Sequence, residues 1–391
     1  MNYILYDGPN RSQLLPFTYT RPVADIRIGI LTIREKWEKY LHSTITTLTE
    51  EYLEVKYPMV EMEENIMINA SFLPTKRIVK QLKELKENEA LVKEDEIIAF
   101  FTKKSQEEVD FDTYKLIALE ENFIQIKNTW DIFALNGIAL QADFDLITED
   151  RKSISIPTTI QTVNPNNIFI EEGVKLSFAI LNASNGPIYI GKNAEIMDGA
   201  IIKGPFSLGE HSTIKMGAKI YGDTTVGPHC KVGGEVSNSV FFGYANKGHD
   251  GFLGNSVIGE WCNLGADTNN SNLKNNYAEV KLWDYDTERF AKTGLQFCGL
   301  MMGDHSKSGI NTMFNTGTVV GVSANIFGGN FPRNFIPSFS WGGNSGFTTY
   351  QMRKVNEVAN VVMQRRGLKF DDTEQKILQH IFEITSKYRN Y

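Results

Sequence analysis

The chain has little of several residue types that usually announce a function. Three cysteines, Cys230, Cys262 and Cys298, form an odd set without metal-ligand spacing. They exclude a disulfide framework and read as reduced core thiols of a cytoplasmic protein, with no metal site among them. No apolar run reaches the length of a membrane span. The first residues, Met1 to Asp7, lack the charged start and long apolar core of a signal peptide. A cytoplasmic location without a membrane partner is therefore expected. Positive charge is also scarce: 40 Lys and Arg face 47 Asp and Glu, for a formal net charge of −7. That balance argues against a nucleic-acid surface, which would be basic. At 391 residues the chain has room for two or three domains.

What is present is a period. Ile190, Ile196, Ile202, Leu208, Ile214, Ile220, Val226 and Val232 recur every sixth position without a break. Six is neither the 3.6 of a helix nor the 2 of an open strand. It is the signature of a parallel β-helix, in which each hexapeptide is one flat face and three close a turn. Between the aliphatic residues fall Gly191, Asn193, Asp198, Gly199, Gly204, Gly209, Gly217, Gly222, Asp223 and Gly227. Corners need φ > 0, which Gly takes freely and Asn or Asp tolerate. After Val232 the pattern breaks at Asn246-Lys247-Gly248-His249-Asp250-Gly251, then resumes at Val257 and Leu264. Loops that leave a repetitive scaffold are where function concentrates.

The rest of the chain divides around this coil. Residues 1–150 read as an α/β unit: strands at Asn2–Tyr6 and Asn65–Asn69, helical periodicity over Ile26–Tyr40 and Thr75–Lys86, and a helix from Trp130 to about Leu146. Residues 151–166 read as a linker and 167–330 as the coil, interrupted at His249 and again over Asn269–Thr293. Hexapeptide phase then returns at Met302, Ser308, Phe314, Val320 and Ile326. Pro332 and Pro337 are expected to end regular structure. Residues 331–391, with helices over Tyr350–Arg366 and Thr373–Lys387, would cap the open end of the solenoid.

The hexapeptide coil, the Lys-Gly-His loop, Asn263-Leu264-Gly265-Ala266 and Asn270-Ser271-Asn272 resemble the bifunctional N-acetylglucosamine-1-phosphate uridylyltransferase/glucosamine-1-phosphate N-acetyltransferase family, in particular a shortened branch of Bacteroidetes type. The resemblance is specific over about 190–330 and weaker over 1–165. It implies a left-handed coil, a homotrimer, and acetyl-CoA bound between neighbouring coils. It gives His249 the role of general base, a task suited to an imidazole at neutral pH. It places Asn263 at the sugar, Asn272 at the acetyl group, and Ala266 along the cofactor. Lys247 would supply charge to a sugar phosphate, and Glu235 would hold the sugar or orient His249. Phe252 and Leu273 stand where the family has aromatic contacts, one of them a tyrosine.

In intact relatives the N-terminal domain transfers UMP from UTP to a sugar 1-phosphate with Mg²⁺, through a Gly-rich loop that cradles the triphosphate. Here Asp7-Gly8-Pro9-Asn10-Arg11 carries one Gly, no Pro-Lys pair follows, and Asn69 ends the strand where an Asp would bind metal. Arg11, Arg21 and Arg27 remain as candidate phosphate ligands, and the domain reads either as a divergent nucleotidyltransferase or as a relic kept for structure or regulation. The leading expectation is acetylation of glucosamine 1-phosphate within UDP-N-acetylglucosamine synthesis. The alternatives are a sugar-1-phosphate nucleotidyltransferase whose coil serves only oligomerisation, and a non-catalytic sugar-nucleotide sensor.

Overall fold

The computed structural model describes residues 1–106, 109–120 and 123–391. The chain forms two compact units.

The first unit comprises Met1–Leu14, Thr20–Ile26 and Leu31–Asn128. Its six-stranded sheet runs in the order Thr46–Leu48, Asn2–Tyr6, Glu64–Asn69, Glu96–Lys103, Glu89–Lys93, Lys115–Ala118. The first three strands are mutually parallel, and Glu96–Lys103 is antiparallel to both of its neighbours. The helix expected over Ile26–Tyr40 covers only Ile33–Leu41. A capping box fixes its start: the Thr32 hydroxyl accepts from Glu35 N at 3.2 Å, and Thr32 N donates to Glu35 Oε2 at 2.6 Å. Thr75 caps Lys76–Lys83 with its hydroxyl alone, accepting from Ile78 N at 3.1 Å.

The second unit holds everything from Thr129 onward, together with Leu15–Tyr19 and Arg27–Ile30. The eight periodic aliphatics are all buried, none more than 2% exposed. Ile190 pairs with Leu208 and Leu208 with Val226, while Ile196 pairs with Ile214 and Ile214 with Val232. Each turn is therefore 18 residues, three hexapeptides, with every face a parallel sheet. Each such side chain contributes about 1.5–3 kcal/mol of burial, so a continuous inward ladder is the main cohesive term. The coil is longer than the sequence suggested. Gln161–Val163 already pairs with Ile180–Asn182. Beyond Pro332, Phe335–Ile336 pairs with Thr318–Val320, and Ser340–Gly343 with Asn325–Ile326. The prolines sit between two- to four-residue strands, where a missing N–H costs no ladder bond.

Two kinds of corner emerge. Gly227 is required by close approach, since a Cβ there would lie 2.0 Å from the Phe242 carbonyl oxygen. The left-handed corner is different. Asn193, His211, His229, Tyr244, Trp261, His305, Ser323 and Phe339 all have φ between 53° and 62° along the coil. At six of these eight, large side chains stand where Gly, Asn or Asp were expected. Five of them stack: His211, His229, Tyr244, Trp261 and His305, with ring centroids 5.0, 4.7, 4.2 and 6.1 Å apart and planes within 15°. Ring-on-ring contact offsets the left-handed strain of about 1–2 kcal/mol per residue.

The helix expected from Trp130 is two, Asp131–Ala134 and Asn136–Thr148. It belongs to the coil unit. Asn136 Oδ1 accepts from Gly29 N at 2.7 Å and its Nδ2 donates to Asp223 O at 2.8 Å. Asp143 Oδ2 accepts from Ile30 N at 2.7 Å. An antiparallel hairpin, Lys281–Asp284 with Arg289–Lys292, fills the long excursion. Helices Met352–Gln364 and Asp372–Ile384 complete the C-terminal region.

Candidate active site

Two turns near the break are short. Val232 pairs with Lys247, 15 residues on, and Asn246 pairs with Asn263, 17 on. The first slip has a direct result: Lys247 takes the inward place that Ile196, Ile214 and Val232 occupy in earlier turns. It is 1% exposed. Its stem lies in the core, and its Nζ donates to His249 O at 3.0 Å and Gly233 O at 3.2 Å. Burial pulls its pKa down to about 8, against a smaller upward pull from Asp250 and Asp267. Expected as a phosphate ligand, Lys247 instead anchors the backbone of the loop from below. Asn246 and Gly248 beside it face outward.

They face a cleft of about 750 Å³, lined by His249, Asn263, Gly265 and Ala266, by Tyr244 and Trp261 of the ring stack, and by five cations: Lys215, Lys231, Lys307, Arg365 and Arg366. No carboxylate among the described residues lines it. The imidazole of His249 is exposed and makes no hydrogen bond among the described residues, so neither ring nitrogen is committed to a structural role. Asn263 and Ala266 share this cleft with it. Glu235 and Asn272 do not: Glu235 faces Lys219 at 3.4 Å on another face, and Asn272 Nδ2 donates to Asn255 Oδ1 at 2.8 Å.

The cations were missed for different reasons. Lys231, Asn246, Asn263 and Lys307 form one outward row in ladder register, so a turn-by-turn alignment would have found them. Arg365 and Arg366 follow the helix Met352–Gln364, more than a hundred residues away in sequence, where no spacing rule reaches. Arg366 donates to Asn246 Oδ1 at 3.3 Å. Lys307 Nζ donates to His305 O at 2.9 Å, and burial lowers its pKa.

The N-terminal unit has its own pocket, about 500 Å³, lined by Tyr6, Asp7, Gly8, Arg11, Thr49 and Glu50 among others. The charges of Asp7, Arg11 and Glu50 meet one another. Asp7 accepts from Val23 N at 2.6 Å, Thr49 Oγ1 at 2.6 Å and Arg11 Nε at 3.0 Å. Burial raises the pKa of Asp7, although these bonds and Arg11 oppose it. Arg11 also meets Glu50 at 3.4 Å and Tyr52 Oη at 3.2 Å. Arg21 is 4% exposed and does not line the pocket. Arg27 Nε donates to Phe242 O at 3.0 Å within the coil unit. No group of three or more His, Cys, Asp or Glu among the described residues could hold a metal ion. Asp7, buried and accepting three hydrogen bonds, is held by the chain's own groups, so a Mg²⁺ ion there would rest mainly on nucleotide phosphates and water. No helix among the described residues is long and apolar enough to cross a membrane.

Residues 3–152 match the family model described as sugar nucleotidyl transferase. A bifunctional sugar-1-phosphate nucleotidylyltransferase/acetyltransferase of Sulfurisphaera tokodaii is 30% identical over 217 residues, 55% of this chain and 47% of that protein. The chain thus spans about half the length of that curated relative. Among solved structures, an Arabidopsis UDP-N-acetylglucosamine acyltransferase is 14% identical, covers 60% of this chain and 94% of its own, and has a TM-score of 0.26. The N-acyltransferase AntD of Bacillus cereus, in complex with dTDP and coenzyme A, is 14% identical over 53% of this chain and 90% of its own, at a TM-score of 0.24. Likeness to sugar nucleotidyl transferases over residues 3–152, followed by a parallel β-solenoid, is what the sequence match and the fold show of this chain.

Proposed function

We propose that the coil transfers the acetyl group of acetyl-CoA to the amine of an amino-sugar phosphate, glucosamine 1-phosphate, within UDP-N-acetylglucosamine synthesis for the cell wall. The observation that carries this reading is the uncommitted imidazole of His249 on the wall of a cation-lined cleft. The neutral amine attacks the thioester carbonyl while His249 takes its proton. The tetrahedral intermediate then expels the coenzyme thiolate, which gains a proton in turn. Asn263 can both donate to and accept from the sugar, and the backbone at Ala266 lies along the donor. Lys247, by holding the His249 carbonyl, is a positioning residue. Glu235 and Asn272 would act from their own flanks on adjacent copies of a left-handed homotrimer. Likeness to the bifunctional relative of Sulfurisphaera tokodaii supports two transferase activities in one chain.

The test is release of free thiol from acetyl-CoA with glucosamine 1-phosphate, comparing native protein with His249→Ala. Loss of about 10²–10⁴-fold is expected for removing a general base. Unchanged release would sink His249 as the base. A second reading is favoured by the family match over residues 3–152: nucleotidyl transfer from UTP to a sugar 1-phosphate at the Arg11 pocket. It predicts pyrophosphate release that Arg11→Gln abolishes and His249→Ala leaves alone.

A further inference from the structure

Four cations of the cleft, Lys215, Lys231, Arg365 and Arg366, make no ion pair among the described residues. They gather in one cleft of a chain whose formal net charge is −7. Like charges held together without counter-charge repel, and a site that keeps them is built for an anion. Glu210 and Glu260 lie near enough to act on Tyr244 of the ring stack, but neither lines the cleft. The helix Met352–Gln364 offers one local reason for Arg365 and Arg366, since cations stabilise a helix C-terminus by about 0.3–1 kcal/mol. That reason does not extend to Lys231 on its strand or Lys215 beside one. Nor does it explain why Arg366 turns to Asn246 in the outward row next to His249.

We infer that Arg365 and Arg366 of the C-terminal region close a phosphate-binding clamp over this cleft, facing Lys215 and Lys231, for a ligand carrying a phosphate monoester or diphosphate. The C-terminal helices are then part of the binding site as well as a cap. Guanidinium groups suit the role because their planar forks meet phosphate oxygens two at a time. The identity of the phosphate's carrier, thioester donor or sugar acceptor, rests on the acyl-transfer reading. The clamp itself does not.

Calorimetric titration of the full chain tests it, with adenosine 3′,5′-bisphosphate, glucosamine 1-phosphate and inorganic pyrophosphate as separate probes. The double substitution Arg365→Gln/Arg366→Gln is compared with native protein, and Lys376→Gln on the neighbouring helix serves as the surface control. About tenfold weaker binding is expected in the double variant, with a shallower salt dependence, and no change in the control. Weakening confined to the bisphosphate assigns the clamp to the donor, and weakening confined to the sugar phosphate assigns it to the acceptor. Equal affinity of native and variant protein for all three probes, or no binding by the native protein, overturns the clamp. Turnover that needs His249 while the double variant binds normally would leave acyl transfer standing without the clamp. A protein with no turnover that still loses pyrophosphate affinity in the double variant would do the reverse.

Discussion

The two pockets of this protein hold their charges in opposite ways. Around Asp7, the central charges answer one another: Arg11 meets Asp7 at 3.0 Å and Glu50 at 3.4 Å, and Asp7 takes two further hydrogen bonds. Around His249, four cations have none among the described residues. The first arrangement spends its polar groups on holding a loop. The second keeps its groups available, and such availability is what a site for a charged ligand requires. The contrast teaches that the presence of arginine after the first strand is a weak pointer to phosphate, while the lack of a partner is a strong one.

Substitutions sharpen the contrast. The largest effect belongs to His249→Ala, which should remove acyl transfer while leaving thermal unfolding within about 0.5 kcal/mol of native, as exposed changes usually do. Asp7→Ala should behave oppositely. It orphans the Val23 amide and the Thr49 hydroxyl and breaks a charge-assisted bond, costing about 2–4 kcal/mol in denaturant unfolding. An Asp7→Ala protein as stable as native would break the comparison.

Lys247→Met gives a smaller, pH-shaped effect. Its folded pKa of about 8 lies below the ordinary 10.5. Between those values the unfolded chain binds more protons than the native one, so stability should rise with pH across that window. A neutral amine keeps two N–H donors, enough for the carbonyls of Gly233 and His249. Met removes the titration, and unfolding measured from pH 7 to 11 should lose this rise. A rise that persists in the variant would show that other groups produce it. The smallest effect comes from the ring stack. Burial, then His211, lowers the pKa of His229 against an upward pull from Glu210, with Arg366 also opposing protonation. Stability should therefore fall as pH drops through about 6.5, and His229→Tyr should reduce that loss.

Sequence made the coil legible because its inward ladder is strictly periodic and its energy comes from that same ladder. It misjudged Lys247 because the chain shortens by three residues just before it. The signal was nevertheless present: Lys231-Val232-Gly233, Asn246-Lys247-Gly248, Asn263-Leu264-Gly265 and Lys307-Ser308-Gly309 place each second residue in the core. The stacked corner was hidden by a rule that is true on average, that left-handed positions belong to Gly and Asn. Neighbouring rings overrode it. Arg365 and Arg366 were out of reach because tertiary packing, with no local pattern, brings a helix end to a coil face.

The 18-residue turn also acts as a reading frame for insertion and deletion. Removing residues 191–208 would join Ile190 to Gly209 with all three faces, the inward ladder and the left-handed corner still in phase. Removing six or twelve residues would rotate every later side chain onto a different face. Coils of this kind can therefore lengthen or shorten over evolution in whole turns, and the two slips of frame beside His249 mark the stretch where a changed phase was kept.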